Sequence, residues 1–230
     1  MRKARLLLAD DHAIFLEGLA RLLESEFEVA GKAEDGRQML EMTALLKPDV
    51  IVADISMPLL SGIEAVRQLR KKDTRTKVIF LSMHAEVELA SQALRLGACG
   101  YVLKQSAADS LSRAIHEVLK GGTYVSPRIS VDVLSTIQQS SRHPERPVVV
   151  LTQREREVLQ LVSEGRTIRG IANILDIAGR TVVFHKSNLM DKLGLRTTAE
   201  LTRYAFQSGL LAVENSAFNH STLAARASHA

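Results

Sequence analysis

Between residues 5 and 120 the chain alternates two textures. Short apolar runs at Arg5–Ala9, Phe27–Ala33, Asp49–Ala53, Lys77–Leu81 and Cys99–Leu103 are separated by stretches whose apolar residues recur at helical spacing, as Phe15, Leu19, Leu22 and Leu23 do in the first. An isolated strand cannot bury both faces of a continuous apolar run. A run followed each time by an amphipathic helix can, if the strands lie parallel and the helices cover both sides. The pattern predicts an α/β fold with a five-stranded, doubly wound parallel sheet. In such sheets ligands bind beyond the carboxyl ends of the strands, which says where chemistry belongs.

The texture changes after residue 120. Gly121 and Gly122 stop the fifth helix, Pro127 follows, and the polar stretch Gln138–Pro147 carries two prolines. This reads as an exposed linker. From Leu151 to Val213 the periodicity is helical throughout, and Glu214–Ala230 is small, polar and expected to be disordered. The expected organisation is a first domain over 1–122, a linker over 123–149, a small all-α domain over 150–213 and a tail over 214–230. Charge is distributed accordingly. Residues 1–120 hold 17 Lys and Arg against 17 Asp and Glu, whereas 151–213 hold 9 against 6, the balance of a nucleic-acid-binding module. No apolar run approaches the roughly 20 residues that span a bilayer. The single Cys99 cannot form an internal disulfide, so a cytoplasmic location without membrane contact is expected.

Acidic residues stand at the ends of two expected strands. Asp10 and Asp11 follow Leu6–Ala9, and Asp54 follows Val50–Ala53. If those strands are neighbours, three carboxylates converge and repel one another unless a cation neutralises them. A hard divalent ion such as Mg²⁺ suits such oxygen ligands. Ser82 lies past the fourth strand and Lys104 past the fifth. A carboxylate nucleophile, a metal, an ammonium and a hydroxyl together make a phosphoryl-transfer site.

Ala9-Asp-Asp-His12, Asp54-Ile-Ser-Met-Pro-Leu-Leu-Ser-Gly62, Ser82 and Tyr101-Val-Leu-Lys104, each at a strand end, resemble the receiver domain of two-component response regulators. The resemblance implies a flavodoxin-like fold with strand order 2-1-3-4-5 and a phosphoacceptor at Asp54. It implies Mg²⁺ on Asp11, Asp54 and the Ser56 carbonyl, with Asp10 acting nearby through water. Lys104 and Ser82 would contact the phosphoryl group, and Tyr101 would turn inward with Ser82 as a switch. The implied phosphodonor is a sensor histidine kinase.

In the second domain, Thr152 stands three residues before Glu155, a capping-box spacing that opens a helix which Gly165 ends. A short helix over Ile168–Leu175, a turn containing Gly179 and a helix from about Thr181 to Leu193 describe a helix-turn-helix, whose second helix enters the major groove. At 100° per residue, Val182, His185, Leu189 and Leu193 face inward. Arg180, Val183, Phe184, Ser187 and Asp191 face outward, with Asn188 beside them and Lys186 at one margin. The segment from Leu151 to Ala205 resembles the LuxR-type DNA-binding domain, and with the receiver it is similar to the NarL/FixJ architecture. The resemblance implies a transcription regulator that binds promoter DNA as a homodimer, the last helix at about Thr197–Gly209 supplying a dimer contact. Arg180, Thr181 and Lys186 would anchor the helix on DNA while Val183, Phe184, Ser187 and Asn188 read bases. Three residues depart from the family pattern: Ala178 replaces the usual capping Ser or Thr, Val183 replaces a Glu or Lys, and Gly170 replaces a Glu.

The residues bear on two other classes. An Asp-x-Asp phosphatase or phosphotransferase needs a second carboxylate two positions after the nucleophile, and Ser56 stands there. A receiver that only binds proteins would show no affinity for DNA.

Overall fold

The computed structural model describes residues 2–83, 85–140 and 151–207. The tail from 214, the end of the second domain after 207 and the linker residues 141–149 lie outside the described residues. Strands β1 (Arg5–Ala9), β2 (Glu28–Ala33), β3 (Val50–Asp54), β4 (Lys77–Ser82) and β5 (Gly100–Leu103) form where the apolar runs stand. All pair in parallel, in the order β2-β1-β3-β4-β5 expected of a flavodoxin-like receiver. Alternate residues of each strand feed opposite faces. Leu6, Leu8, Val50 and Val52 pack with helices α1 (Ala13–Leu23) and α5 (Ala107–Leu119). Leu7, Ile51, Ala53 and Phe80 pack with α2 (Gly36–Leu46), α3 (Gly62–Arg70) and α4 (Val87–Arg95). Local chemistry agrees with this winding: Asp35 caps α2 by accepting from the amides of Arg37 and Gln38, and Ser61 caps α3 through Glu64 N.

The stretch read as a linker from 123 contributes instead to the first domain. Residues Tyr124–Val125 form a sixth, edge strand β6 parallel to β5, and Pro127–Ser140 form α6. Ile129 and Val133 of α6 are buried against α4, with Ile137 partly so. The chain can return along β5 because Gly121 takes φ +92, a left-handed turn that a side chain would disfavour. Pro127 is no obstacle, since at the first position of a helix its missing N–H has no acceptor to lose.

The second domain packs α7 (Gln153–Ser163), α8 (Ile168–Leu175), α9 (Gly179–Leu193) and α10 (Thr198–Gln207) around Val158, Leu161, Ile171, Val182, Leu189 and Leu201. The capping box at Thr152 and Glu155 forms as the spacing implies. Gly179 is not in the turn but opens α9; Asp176, at φ +52, makes the left-handed turn after α8. Short polar Asp tolerates that conformation better than most residues. Among the described residues no helix is long and apolar enough to cross a membrane.

Candidate functional site

Strand order reverses between β1 and β3, so the carboxyl ends of these neighbours flank a crevice. Asp10 and Asp11 leave β1 and Asp54 ends β3, which brings the three carboxylates together. One ligand atom from each of Asp10, Asp11, His12 and Asp54 lies within 4.8 Å of the others. Lys104, just past β5, reaches in with its Nζ 2.8 Å from Asp54 Oδ2 and 2.7 Å from Asp10 Oδ2. Its ammonium lies 5.0 Å from the centroid of the Phe15 ring, which covers it from α1. The amide of Ser56 points at Asp54 Oδ1 at 3.4 Å. Behind it, Gly62 N donates to Ile55 O at 2.8 Å, and a Cβ on Gly62 would fall 2.0 Å from the Asp54 carbonyl oxygen. Only glycine allows α3 to start this close to the strand end.

Among the described residues, Asp10 Oδ2 is met by the Lys104 ammonium at 2.7 Å and the buried Asp11 Oδ1 by His12 Nδ1 at 3.1 Å, which leaves each oxygen room for a further partner. Under-coordinated carboxylate oxygens beside a lone ammonium are what a hard divalent cation would complete, so the donor set fits Mg²⁺. His12, a softer nitrogen donor, fits it less well.

Electrostatics follow from burial. Asp54 is 5% exposed, and desolvation pushes its pKa up from 3.8 to about 6; Lys104 opposes the rise and the Asp10 carboxylate adds to it. Burial works against the charge on Lys104, but Asp54 and Asp10 outweigh it and hold its pKa above the ordinary lysine value. Tyr101 is fully buried, and its pKa is pushed up to about 12 by desolvation while a hydrogen bond with Ser82 pulls the other way. Tyr101, the second residue of β5, thus stands inward, joined to Ser82 at the end of β4. Because the folded-state pKa of Asp54 lies above its unfolded value, its contribution to stability is full below about pH 4 and is lost as pH rises through about 6. The expected loss is on the order of 3 kcal/mol in metal-free protein. Asp54→Asn should remove that loss, so urea unfolding in chelator should show a smaller fall in stability between pH 4 and 7.5 for the variant. Parallel pH profiles would contradict the burial assignment.

The structure also joins the acidic crevice to the second domain, through residues that the sequence did not single out. The loop after Asp54 runs under α7. Gln160, 1% exposed, donates to Met57 O at 2.9 Å and accepts from Ser61 N at 2.8 Å, while Glu164 accepts from Leu59 N at 3.0 Å. Leu59 itself takes φ +64 and packs against the core of the second domain. Beside the loop, Arg156 pairs with Glu64 at 2.5 Å, and Arg67 meets the same carboxylate at 3.2 Å. Gln68 donates to Glu157, Lys71 to Gln153 and Arg37 to the carbonyl of Ile174.

None of these contacts uses the outward face of α9. Arg180, Val183, Phe184 and Ser187 are exposed; Thr181, Lys186 and Asn188 are half-buried, and Lys186 Nζ donates to Thr198 Oγ1 at 3.0 Å. Val182 and Leu189 are buried on the opposite side, with His185 and Leu193 half-buried. No side chain caps α9, consistent with Ala178 at its N-cap.

Comparison with known proteins matches residues 6–116 to the response regulator receiver domain and 149–205 to the bacterial regulatory proteins of the luxR family. The transcriptional regulatory protein DegU of Brevibacillus brevis is 34% identical over 227 residues, covering 92% of this chain and 96% of that protein. The transcriptional regulatory protein MctR of Rhizobium johnstonii is 38% identical over 211 residues, covering 91% and 96%. Among solved structures, the complex of the two-component response regulator RcsB with DNA superposes with a TM-score of 0.57 at 28% identity, covering 90% of this chain and 99% of that one.

Proposed function

This chain belongs to the NarL/FixJ family of two-component response regulators, and on that premise we propose that Asp54 accepts a phosphoryl group from a sensor histidine kinase and thereby controls promoter binding by α7–α10. As a member of that family it is a DNA-binding transcription regulator and not an enzyme. The observation that carries the phosphorylation reading is the buried Asp54 carboxylate paired at 2.8 Å with Lys104 inside a crevice that also gathers the carboxylates of Asp10 and Asp11.

An Asp54 carboxylate oxygen attacks phosphorus as the bond to the kinase imidazole nitrogen breaks; that nitrogen keeps the electron pair, and with the other ring nitrogen protonated a neutral histidine leaves while an acyl phosphate stays on Asp54. Lys104, already 2.8 Å away, balances the charge that the phosphoryl oxygens bring. Asp11, Asp54 and the Ser56 carbonyl would hold Mg²⁺, with Asp10 nearby, and the bound ion would neutralise phosphoryl oxygens. Ser82 would donate to the new group, loosening its bond with Tyr101. The loop from Ile55 to Ser61 feels the change first, and Gln160 and Glu164 carry it to the DNA-binding domain. Two copies then bind paired half-sites in promoter DNA, α10 supplying a dimer contact. The cytoplasm, the usual place of this family, is part of the same reading.

Selection from a random duplex pool by full-length protein, with Mg²⁺ and an acyl phosphate donor present, tests the DNA half of the proposal. Enrichment of paired motifs about one helical turn apart is expected; no enrichment overturns it. On an enriched duplex, Lys186→Ala should weaken binding to cognate and unrelated sequences alike. It should also reduce the slope of log affinity against log salt by about 0.9, the value for one phosphate contact. An unchanged slope would remove Lys186 from the phosphate contacts.

A further inference from the structure

Among the described residues of the second domain, the large apolar side chains left in solvent are Val183, 53% exposed, and Phe184, 60% exposed. They are consecutive on α9, on the side opposite the buried Val182 and Leu189. Among the described residues, both stand more than half exposed, and no first-domain contact to either is seen. The Phe184 ring is set edge-on against the His185 ring at 5.8 Å, which limits the directions it can take. Polar and basic groups flank the pair along α9: Arg180, exposed, one turn before and Ser187, exposed, one turn after, with Lys186 half-buried between them. An apolar pair flanked by Arg180 and Lys186 fits a polyanion that itself offers an apolar group.

Duplex DNA offers one such group in its major groove, the 5-methyl of thymine. Valine and phenylalanine have no hydrogen-bonding groups, so at these two positions base edges cannot be read by donor and acceptor pattern. We infer that Val183 and Phe184 recognise thymine by its methyl group, at one or two base pairs of each half-site. This rests on α9 being the reading helix, as proposed above. Recognition of the remaining base pairs falls to Ser187 and Asn188, which do carry donors and acceptors.

Replacing thymine by deoxyuridine isolates the claim, because uracil keeps every hydrogen-bonding group in the groove and lacks only the methyl. Full-length protein is measured on an enriched duplex with each thymine replaced in turn. At one or two positions per half-site the replacement should weaken wild type about three- to fivefold per methyl, the effect of one buried carbon. The variants Val183→Ala and Phe184→Ala should bind more weakly and should each lose sensitivity to the replacement at one position. Both side chains lie outside the core, so thermal unfolding should match wild type and separate loss of contact from loss of fold. Indifference of wild type to every replacement overturns the inference while leaving DNA binding intact. So does a loss that persists undiminished in both variants, or a loss of self-association in the variants with no change in thymine preference. If no duplex is enriched at all, the inference falls together with the proposed function.

Discussion

Asp54→Ala should take up no phosphoryl group under conditions in which wild type gains one per chain. The deficit in rate is roughly a thousandfold or more, because removal of a covalent nucleophile leaves no lesser route to the acyl phosphate. The structure gives reason to expect a folded variant. Lys104 keeps its 2.7 Å contact with Asp10, so deleting one carboxylate does not strand a buried ammonium. Asp54 is moreover costly to ionise, its pKa being pushed up to about 6 by burial. Intact-mass measurement after incubation with Mg²⁺ and an acyl phosphate reads the result directly. A wild-type gain that chelator abolishes and the variant never shows is the expected pattern. Uptake by the variant would place the acceptor on another residue.

Arg156→Ala should separate the two domains. Its guanidinium is 17% exposed and its partner Glu64 2% exposed, so this is a nearly buried ion pair across the interface. Removing one member of such a pair costs about 3–5 kcal/mol when the other is left alone. Here Glu64 retains Arg67 at 3.2 Å, and a cost of about 1–3 kcal/mol is the better expectation. That shifts the docked-to-undocked ratio by about five- to 150-fold. Small-angle scattering should then report a larger radius of gyration for the variant, and Gln160→Ala should act in the same direction by cutting both bonds to the loop after Asp54. A radius equal to wild type in both variants would mean that the remaining contacts hold the interface without them.

The parts of the molecule that were legible in the sequence are those governed by local pattern. Five apolar runs become β1–β5, and four of them end where a polar residue with chemistry stands, so the sequence alone sets Asp10, Asp54, Ser82 and Lys104 at strand ends. The helix-turn-helix was equally open to reading, since Thr152 with Glu155 and the spacing of Val182, His185, Leu189 and Leu193 are short-range signals. The parts that escaped depend on distant partners. Gln153, Glu157, Gln160 and Glu164 share one stripe of α7 and look like a solvated face, yet Gln160 and Glu157 are buried because the loop from Met57 and the helix carrying Gln68 cover them. Glu64 likewise looks like an ordinary first-turn acid until Arg156 meets it from 92 residues away. In α6 the proline and the exposed polar residues masked a stripe at Ile129, Val133 and Ile137, which makes sense only once α4 is there to receive it. The cover that Phe15 gives Lys104 has the same origin: α1 and the end of β5 are neighbours in space alone.

Phosphorylation at Asp54 should control DNA binding through the loop that α7 holds. The most direct measurement is the affinity of full-length wild type for its selected duplex, with and without phosphoryl transfer, beside Asp54→Ala as control. A coupling of about 1–3 kcal/mol between sites predicts five- to 150-fold tighter binding when wild type is phosphorylated. The same treatment should leave Asp54→Ala unchanged. Equal affinity of wild type in both states, with one phosphoryl group verified on the protein, would contradict the account and detach the transcription regulator from the phosphorylation site.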